Sequence, residues 1–358
     1  LDEVESYLLD THNRFWNRIL EFVERLPTVS GYTTVRNVIE QKYPWRQSIN
    51  SLLSFCDEVV VIDGGSDDGS YEKLLEWEKE EQKLVVKQVT RDWSSKRFSV
   101  FDGLQKAEAR ALCTSDWCWQ QDIDEVVHEE DAPRIKKLAA NLPKAMHLLA
   151  LPVIEYWGNK GKVRVDVNPW KWRLSRNLDH ITHGIPEELR RHDESGELYS
   201  APGSDGCDYI DKDTNKRIAF STFYTPDVHA VRNAAMMKIG TSLESYEKWF
   251  NTVVQELPGV HHYSWFDLER KINTYKNYWS QHWQSIFNME QKDTAESNMF
   301  FDKPWTEVSD EDVTSLAEKM ESEMGGWIFH NKIDFDKPTP HIKIERNHPI
   351  FMEKKVDE

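Results

Sequence analysis

Apolar positions along this chain recur first at helical and then at strand spacing. Between Val4 and Leu26, residues Leu8, Leu9, Phe15, Trp16, Ile19, Leu20, Phe22 and Val23 share one side of a 3.6-residue period among charged neighbours. The spacing predicts an amphipathic helix ending before Pro27, and its acidic polar side favours packing on the body over membrane contact. A strand is predicted from Thr28 to Asn37 and a helix from Ser48 to Phe55. The β-branched run Glu58-Val59-Val60-Val61-Ile62 then stops at Asp63-Gly64-Gly65-Ser66-Asp67-Asp68-Gly69-Ser70 and yields to a helical stretch, Tyr71 to Glu81. An apolar run closed by Gly and Asp ahead of a helix is the mark of a buried parallel strand feeding a crossover helix. A strand from Leu84 to Val89 and a helix from about Val100 to Leu112 repeat the alternation, which predicts an α/β fold with a sheet covered on both faces.

After Leu151 the alternation fades into text rich in Trp, His, Arg and turn residues, with a loop-like stretch from His192 to Lys216. Helical spacing returns at about Leu243 to Val254, Phe266 to Phe287 and Asp310 to Met324. The end, from Asp334, carries Pro338, Pro340 and Pro349 and is expected to wrap the body irregularly. These shifts divide the chain into an N-terminal helix (1–26), a first α/β half (27–150), a second half (151–265) and a helical and irregular extension (266–358). No internal repeat interrupts that order.

Composition narrows the function. The formal charge of −17 argues against a nucleic-acid surface, where clustered cations must replace counterions. An anionic ligand would then have to be held locally, by a metal ion or a few cations. Cys56, Cys113, Cys118 and Cys207 are irregularly spaced, without a CxxC pair, so a reducing compartment is expected. No stretch approaches the ~18 apolar residues of a membrane span, and the start lacks signal-peptide regions. The expected location is cytoplasmic.

In an α/β sheet, ligands sit outside the carboxyl ends of the strands. Asn37, Asp63 and Asp122 fall at such ends. The sharpest local element is Asp116-Trp117-Cys118-Trp119-Gln120-Gln121-Asp122-Ile123-Asp124-Glu125. On an extended segment, residues i and i+2 share a face, so Asp122 and Asp124 could present two carboxylates to one hard cation, Mg²⁺ or Mn²⁺. With acids at 62 of 358 positions, about ten acid-x-acid triplets arise by chance, so context must carry the motif. Lys96 and Arg97 stand between a strand and its helix, where they could answer phosphate charge or be solvated.

The Val59–Ser70 loop paired with the Asp116–Glu125 segment resembles family 2 glycosyltransferases, which carry a "VVVDGGSTDGT" loop and a later "GDWVLFLDADE" strand. The resemblance covers about residues 28 to 130. It implies a GT-A fold: a Rossmann-like, mostly parallel sheet with helices on both faces, here with helical N- and C-terminal additions. It also implies a nucleotide diphosphate sugar donor, a glycan or other hydroxyl acceptor, Mn²⁺ or Mg²⁺, and inversion at the sugar. Position by position, Asp63 would meet the base or ribose, with Gly65, Ser66 and Asp67 letting the backbone approach. Thr34, Val35, Arg36 and Asn37 would line the same pocket, and Arg97 and Gln121 would border the donor. Asp122 would lie nearer the ribose and Asp124 would be the firmer metal ligand.

A stretch from Trp172 to Arg190 resembles the "RLFRN…GxVHE" of one branch of that family, aligning Glu187 with its base, although Pro186 replaces a His. Glu187, or its neighbour Glu188, is therefore the expected catalytic base; an acidic first turn of a helix is the bland alternative. His261-His262-Tyr263-Ser264-Trp265 resembles a late "HYSW" element, implying His262 as a metal ligand from a distal loop. Three other readings stay open. Asp122-Ile123-Asp124-Glu125-Val126 fits the nucleophile motif of haloacid-dehalogenase-like phosphatases, though two βα units precede it. A sugar nucleotidyltransferase would need a basic Gly-rich first loop, where Asn37 stands instead. The third is an inactive glycan-binding relative.

Overall fold

The computed structural model describes residues 26–93, 98–142, 144, 147–158, 162–165, 167, 170–179, 181–182, 185–186, 191–192, 198–199, 243–279, 293–296, 298–323, 333–336 and 338–353. The predicted N-terminal helix lies outside them.

The first half follows the predicted alternation: β1 (Val29–Val35), α1 (Trp45–Leu53), β2 (Glu58–Asp63), α2 (Ser70–Glu80), β3 (Leu84–Gln88), α3 (Phe98–Ala111) and β4 (Trp117–Gln120). β1 pairs in parallel with both β2 and β4, and β2 with β3. Burial on both faces explains the continuous apolar runs. On β2, Val59 and Val61 face a core shared with Ile49 and Leu52 of α1 and Leu74 of α2. The alternate residues Val60 and Ile62 face a second cluster with Ala109 of α3. Strand pleating alone sorts these neighbours onto opposite faces. Gly31 on β1 is where α1 comes closest: an added Cβ would lie 2.9 Å from Cys56 Sγ and 3.0 Å from Leu52 Cδ2.

The second half departs from the sequence reading, because the fading alternation after Leu151 conceals strands; most of the loop-like stretch from His192 to Lys216 lies outside the described residues. Beyond β5 (Glu125–Val127) and α4 (Ala132–Asn141) come β6 (Leu148–Trp157), β7 (Val163–Arg164) and β8 (Trp170–Arg176). β8 runs antiparallel to β4 on one side and to β6 on the other. Two short antiparallel ladders follow, β9 (Ile181–Thr182) with β10 (Ile185–Pro186), and β11 (Arg191–His192) with β12 (Leu198–Tyr199). Then come α5 (Leu243–Glu256) and β13 (Val260–Trp265), which pairs antiparallel with β5 and parallel with β6. With a last strand, β14 (His341–Ile342), the result is one mixed sheet of ten strands, ordered β14-β7-β6-β8-β4-β1-β2-β3, with β13 and β5 joined to it beside β6. Each strand has a local signal, an apolar run from Leu148 to Ile154 in β6 and strict alternation in β8, but antiparallel neighbours need no crossover helix, so the strand–helix alternation of the first half is lost.

The helix expected from Phe266 to Phe287 is, among the described residues, a shorter α6 (Leu268–Thr274) continued by one π-helical turn, Tyr275–Trp279. Asp267 caps α6 by accepting the Arg270 amide. Later come α7 (Asp310–Glu323), β14 (His341–Ile342) and α8 (Ile350–Glu353). The end does wrap the body, but it adds β14 to the sheet edge beside β7. Arg346 grips the buried Asp131 at 2.8 and 2.9 Å, a bidentate pair that ties this tail to the start of α4.

Candidate functional site

Three loops meet at the carboxyl ends of β1, β2 and β4. Val35 pairs with Asp63, and the Gln121 amide donates to the Tyr32 carbonyl at 3.1 Å, so the strand ends stay in register. Thr34 and Val35 close β1, and Arg36 stacks its guanidinium 4.9 Å from the centre of the Trp93 ring. Asn37 adopts a left-handed backbone (φ 49°), which asparagine tolerates. Its side chain donates to Asp67 at 2.7 Å and accepts from the Asp67 amide at 3.0 Å, and its own amide donates to Ser66 Oγ. The β1 and β2 loops are thereby stitched together.

Asp63 is fully buried, and its carboxylate is the organiser of the second loop. One oxygen accepts from the amides of Gly65 and Ser66 and from Gln88 Nε2, each at 2.9 Å; the other bonds the Ser66 hydroxyl. This is an Asx-type turn. Gly65 sits at φ 90°, a conformation that side chains avoid.

Beyond β4 the chain turns instead of running on extended, since Glu125 donates its amide to the Asp122 carbonyl at 2.9 Å. The shared face expected of an extended Asp-x-Asp therefore does not form, and the two carboxylates take different partners. Asp122 contacts Lys106 at 2.8 Å, Arg173 at 3.2 Å and Gln120 Nε2 at 2.9 Å. Burial works against its charge, but Lys106 and then Arg173 hold the carboxyl well below the usual range. Arg173 also pairs with Gln120 and with the buried Glu125. Gln121, fully buried, donates to the Ser48 hydroxyl and carbonyl, to Ser51 Oγ and to the Glu125 carbonyl.

Asp124 points to a different neighbour, His262, whose Nε2 lies 3.2 Å from its Oδ1. His262 stands in the middle of β13, not in a loop: its register partners are Glu125 on β5 and Glu155 on β6. The ring's other nitrogen, Nδ1, bonds the Glu155 carboxylate. Burial opposes a charged ring, yet Glu155 and Asp124 push the His262 pKa up to about 9. Asp124 is held well below its ordinary value by His262 against the cost of burial. Two more buried cations border Asp124. Arg270 donates to the carbonyls of Tyr263 and Ser264, and Lys271 bonds Ser264 Oγ at 2.5 Å. Burial pushes the Lys271 ammonium down to about 8, against the pull of Asp124.

The fit to a hard cation follows from these distances. Ligand atoms at adjacent corners of an octahedron with ~2.1 Å bonds lie about 3 Å apart. The 3.2 Å between Asp124 Oδ1 and His262 Nε2 suits such a pair, whereas Asp122 is engaged by two cations. Among the described residues no three His, Cys, Asp or Glu side chains form a ready metal cage, so remaining positions would fall to ligand or water oxygens.

No family model matches the chain, and no curated protein matches it. Among solved structures it is similar to a mannosyltransferase from Pyrobaculum calidifontis in complex with GDP-Man and Mn²⁺, at 16% identity over 41% of this chain and 47% of that one, with a TM-score of 0.28. It is also similar to S. aureus TarS 1-349, at 14% identity over 89% of this chain and 100% of that one, TM-score 0.35. A third is glucosyl-3-phosphoglycerate synthase from Mycobacterium tuberculosis in complex with Mn²⁺ and UDP-Glc, at 17% identity over 36% and 44%, TM-score 0.25. The chain thus spans about half the length of the first and third. Superpositions this loose carry no argument about the reaction of this chain.

Sequence reasoning located Asp124 and His262, which the fold brings together, and Asn37, Asp63, Ser66 and Asp67, which it links through hydrogen bonds. Glu187, Glu188, Lys96 and Arg97 lie outside the described residues. It missed Lys106, Arg173, Glu155, Arg270 and Lys271. A usable signal was present for Glu155, the lone charge in Leu148-Leu149-Ala150-Leu151-Pro152-Val153-Ile154-Glu155-Tyr156-Trp157. A single carboxylate in an apolar strand must find a partner. No helix among the described residues is long and apolar enough to cross a membrane.

Proposed function

We propose that this chain is a divalent-metal-dependent glycosyltransferase, moving a sugar from a nucleotide diphosphate sugar to an acceptor hydroxyl with inversion. The observation that carries the reading is the meeting of Asp124 and His262, 3.2 Å apart, beside strand-end loops whose sequence resembles family 2 enzymes. In this reading Asp124 and His262 would hold Mn²⁺ or Mg²⁺, which would supply positive charge for the diphosphate leaving group. The Asp63 turn shapes the loop that receives the base and ribose, and the Asn37–Asp67 pair fixes its distance from β1. Thr34, Val35, Arg36 and Arg97 border the donor, whereas Gln121, expected beside them, is fully buried and bonds Ser48 and Ser51 of α1 and the Glu125 carbonyl. Lys271 and Arg270 set positive charge beside Asp124, where an acidic protein otherwise offers little to a diphosphate. Glu187 or Glu188 takes the proton of the acceptor hydroxyl as it attacks the sugar from the face opposite the diphosphate.

The phosphatase alternative requires Asp122 to be a free nucleophile. Its ion pairs with Lys106 and Arg173 disfavour that role. The deciding experiment is a screen of nucleotide-sugar hydrolysis and transfer with Mn²⁺ and with chelator. Metal-dependent release of one nucleoside diphosphate supports the proposal; release of inorganic phosphate from phosphomonoesters, with no nucleotide-sugar turnover, overturns it.

A further inference from the structure

We propose that Glu155 is a positioning residue, which orients His262 so that Nε2 faces Asp124 and is presented to the cation; this rests on the metal reading above. The geometry is set by three strands. β13 lies between β5 and β6, and the register puts His262 beside Glu155 of β6 in the parallel ladder. Asp124, just before β5, is tied to the same strand by the Tyr263 amide, which donates to the Asp124 carbonyl at 2.8 Å. His262 is thus clasped at both ring nitrogens, Nδ1 by Glu155 and Nε2 by Asp124.

The two nitrogens lie on different edges of the imidazole, so the carboxylate that bonds one determines what the other offers. With Nδ1–H donated to Glu155, Nε2 is the nitrogen that faces a cation on the Asp124 side, which would take the place of its proton. A carboxylate behind a metal-bound histidine fixes both tautomer and ring plane and raises the basicity of the ligating nitrogen. Glu155, His262 and Asp124 are each less than a tenth exposed, at 6%, 8% and 7%, so water competes poorly for these bonds. Glu155 approaches the Nδ1 edge, and this separates it from a direct ligand, which would have to share the Nε2 edge with Asp124.

The test counts free Mn²⁺ by electron paramagnetic resonance while the full-length protein is titrated with Mn²⁺ alone. Glu155→Leu should weaken Mn²⁺ binding about 10–100-fold, the usual effect of removing a histidine's carboxylate partner. Glu155→Gln, whose amide oxygen can still accept from Nδ1–H, should lose less. In a His262→Ala background Glu155→Leu should cost nothing further, because the pair acts through one ring. Should Glu155→Leu not fold, Glu155→Gln in the wild-type and His262→Ala backgrounds makes the same comparison. Equal Mn²⁺ affinity in wild type and Glu155→Leu overturns the positioning role alone. So does a loss that persists without His262, which would make Glu155 a ligand itself. A wild-type protein that binds no Mn²⁺ at millimolar concentration overturns the metal reading and this inference with it.

Discussion

The Lys106 ammonium lies 2.8 Å from one oxygen of Asp122, whose other oxygen takes Arg173 at 3.2 Å. Two acidic residues two positions apart in sequence thus have different duties. Asp122 neutralises cations from α3 and β8, and Asp124 faces His262 on β13.

Asp122→Ala should therefore act on the fold first. Leaving two largely buried cations without their acceptor should lower unfolding free energy by about 1–3 kcal/mol. Mn²⁺ binding should survive. Asp124→Asn should remove Mn²⁺ binding and transfer, and because it takes the carboxylate from the buried His262 it should lower stability as well. Urea denaturation beside Mn²⁺ titration separates the two; loss of Mn²⁺ in Asp122→Ala at unchanged stability would restore Asp122 as a ligand.

Asp63→Ala should destabilise the protein as well as weaken nucleotide diphosphate binding. Its carboxylate serves two amides, a hydroxyl and a side-chain amide. Buried donors left without an acceptor cost about 1–3 kcal/mol each, so a total of roughly 3 kcal/mol is expected. Calorimetry at a temperature where the variant is folded should also record weaker nucleotide binding. Wild-type stability would mean that Gly65 and Gln88 hold the loop by other means.

The buried His128 predicts an acid-side loss of stability. Burial, then the charge of Arg346, lowers its pKa from the ordinary 6.5. Folding therefore favours the neutral ring, whose contribution is complete above about 6.5 and is lost as the pH falls through the folded value. His128→Asn, which can still accept the Glu130 amide now bonded to Nδ1 at 3.2 Å, should flatten this fall. Chemical denaturation from pH 7.5 to 5, wild type against variant, reads the difference; parallel curves would exclude His128 as the source.

The proposed reading, a metal-bound leaving group with a single carboxylate base, predicts one in-line displacement, so an α-linked donor should give a β-linked product. Glu187→Gln should reduce the rate on the order of 10²–10⁴-fold and leave donor binding intact. Proton NMR of the first-formed linkage checks the stereochemistry, and retention would refute it. Activity kept in Glu187→Gln and lost in Glu188→Gln would move the base by one residue.

Local chemistry made much of the first half legible in the sequence. The run Glu58–Ile62 ended by Asp63-Gly64-Gly65 is a strand feeding a turn wherever it occurs, because β-branched residues, a carboxylate that bonds the next amides and a residue at positive φ act within a few positions of one another. Asp124 was legible as a donor, since hard-cation chemistry belongs to the carboxylate itself, and His262 through the resemblance of its His-Tyr-Ser-Trp stretch to a family element. Their relation was not. That Asp122 turns to Lys106 and Arg173, and that Glu155 stands behind His262, depends on ladder register and on residues 16 to 107 positions apart. β8 alternates apolar Trp170, Trp172 and Leu174 with Lys171, Arg173 and Ser175, and β6 is apolar from Leu148 to Ile154, so local pattern marks both as strands but says nothing of which strand each pairs with. Only the folded sheet decides which charge answers which, as ion pairs follow distance in space rather than along the chain.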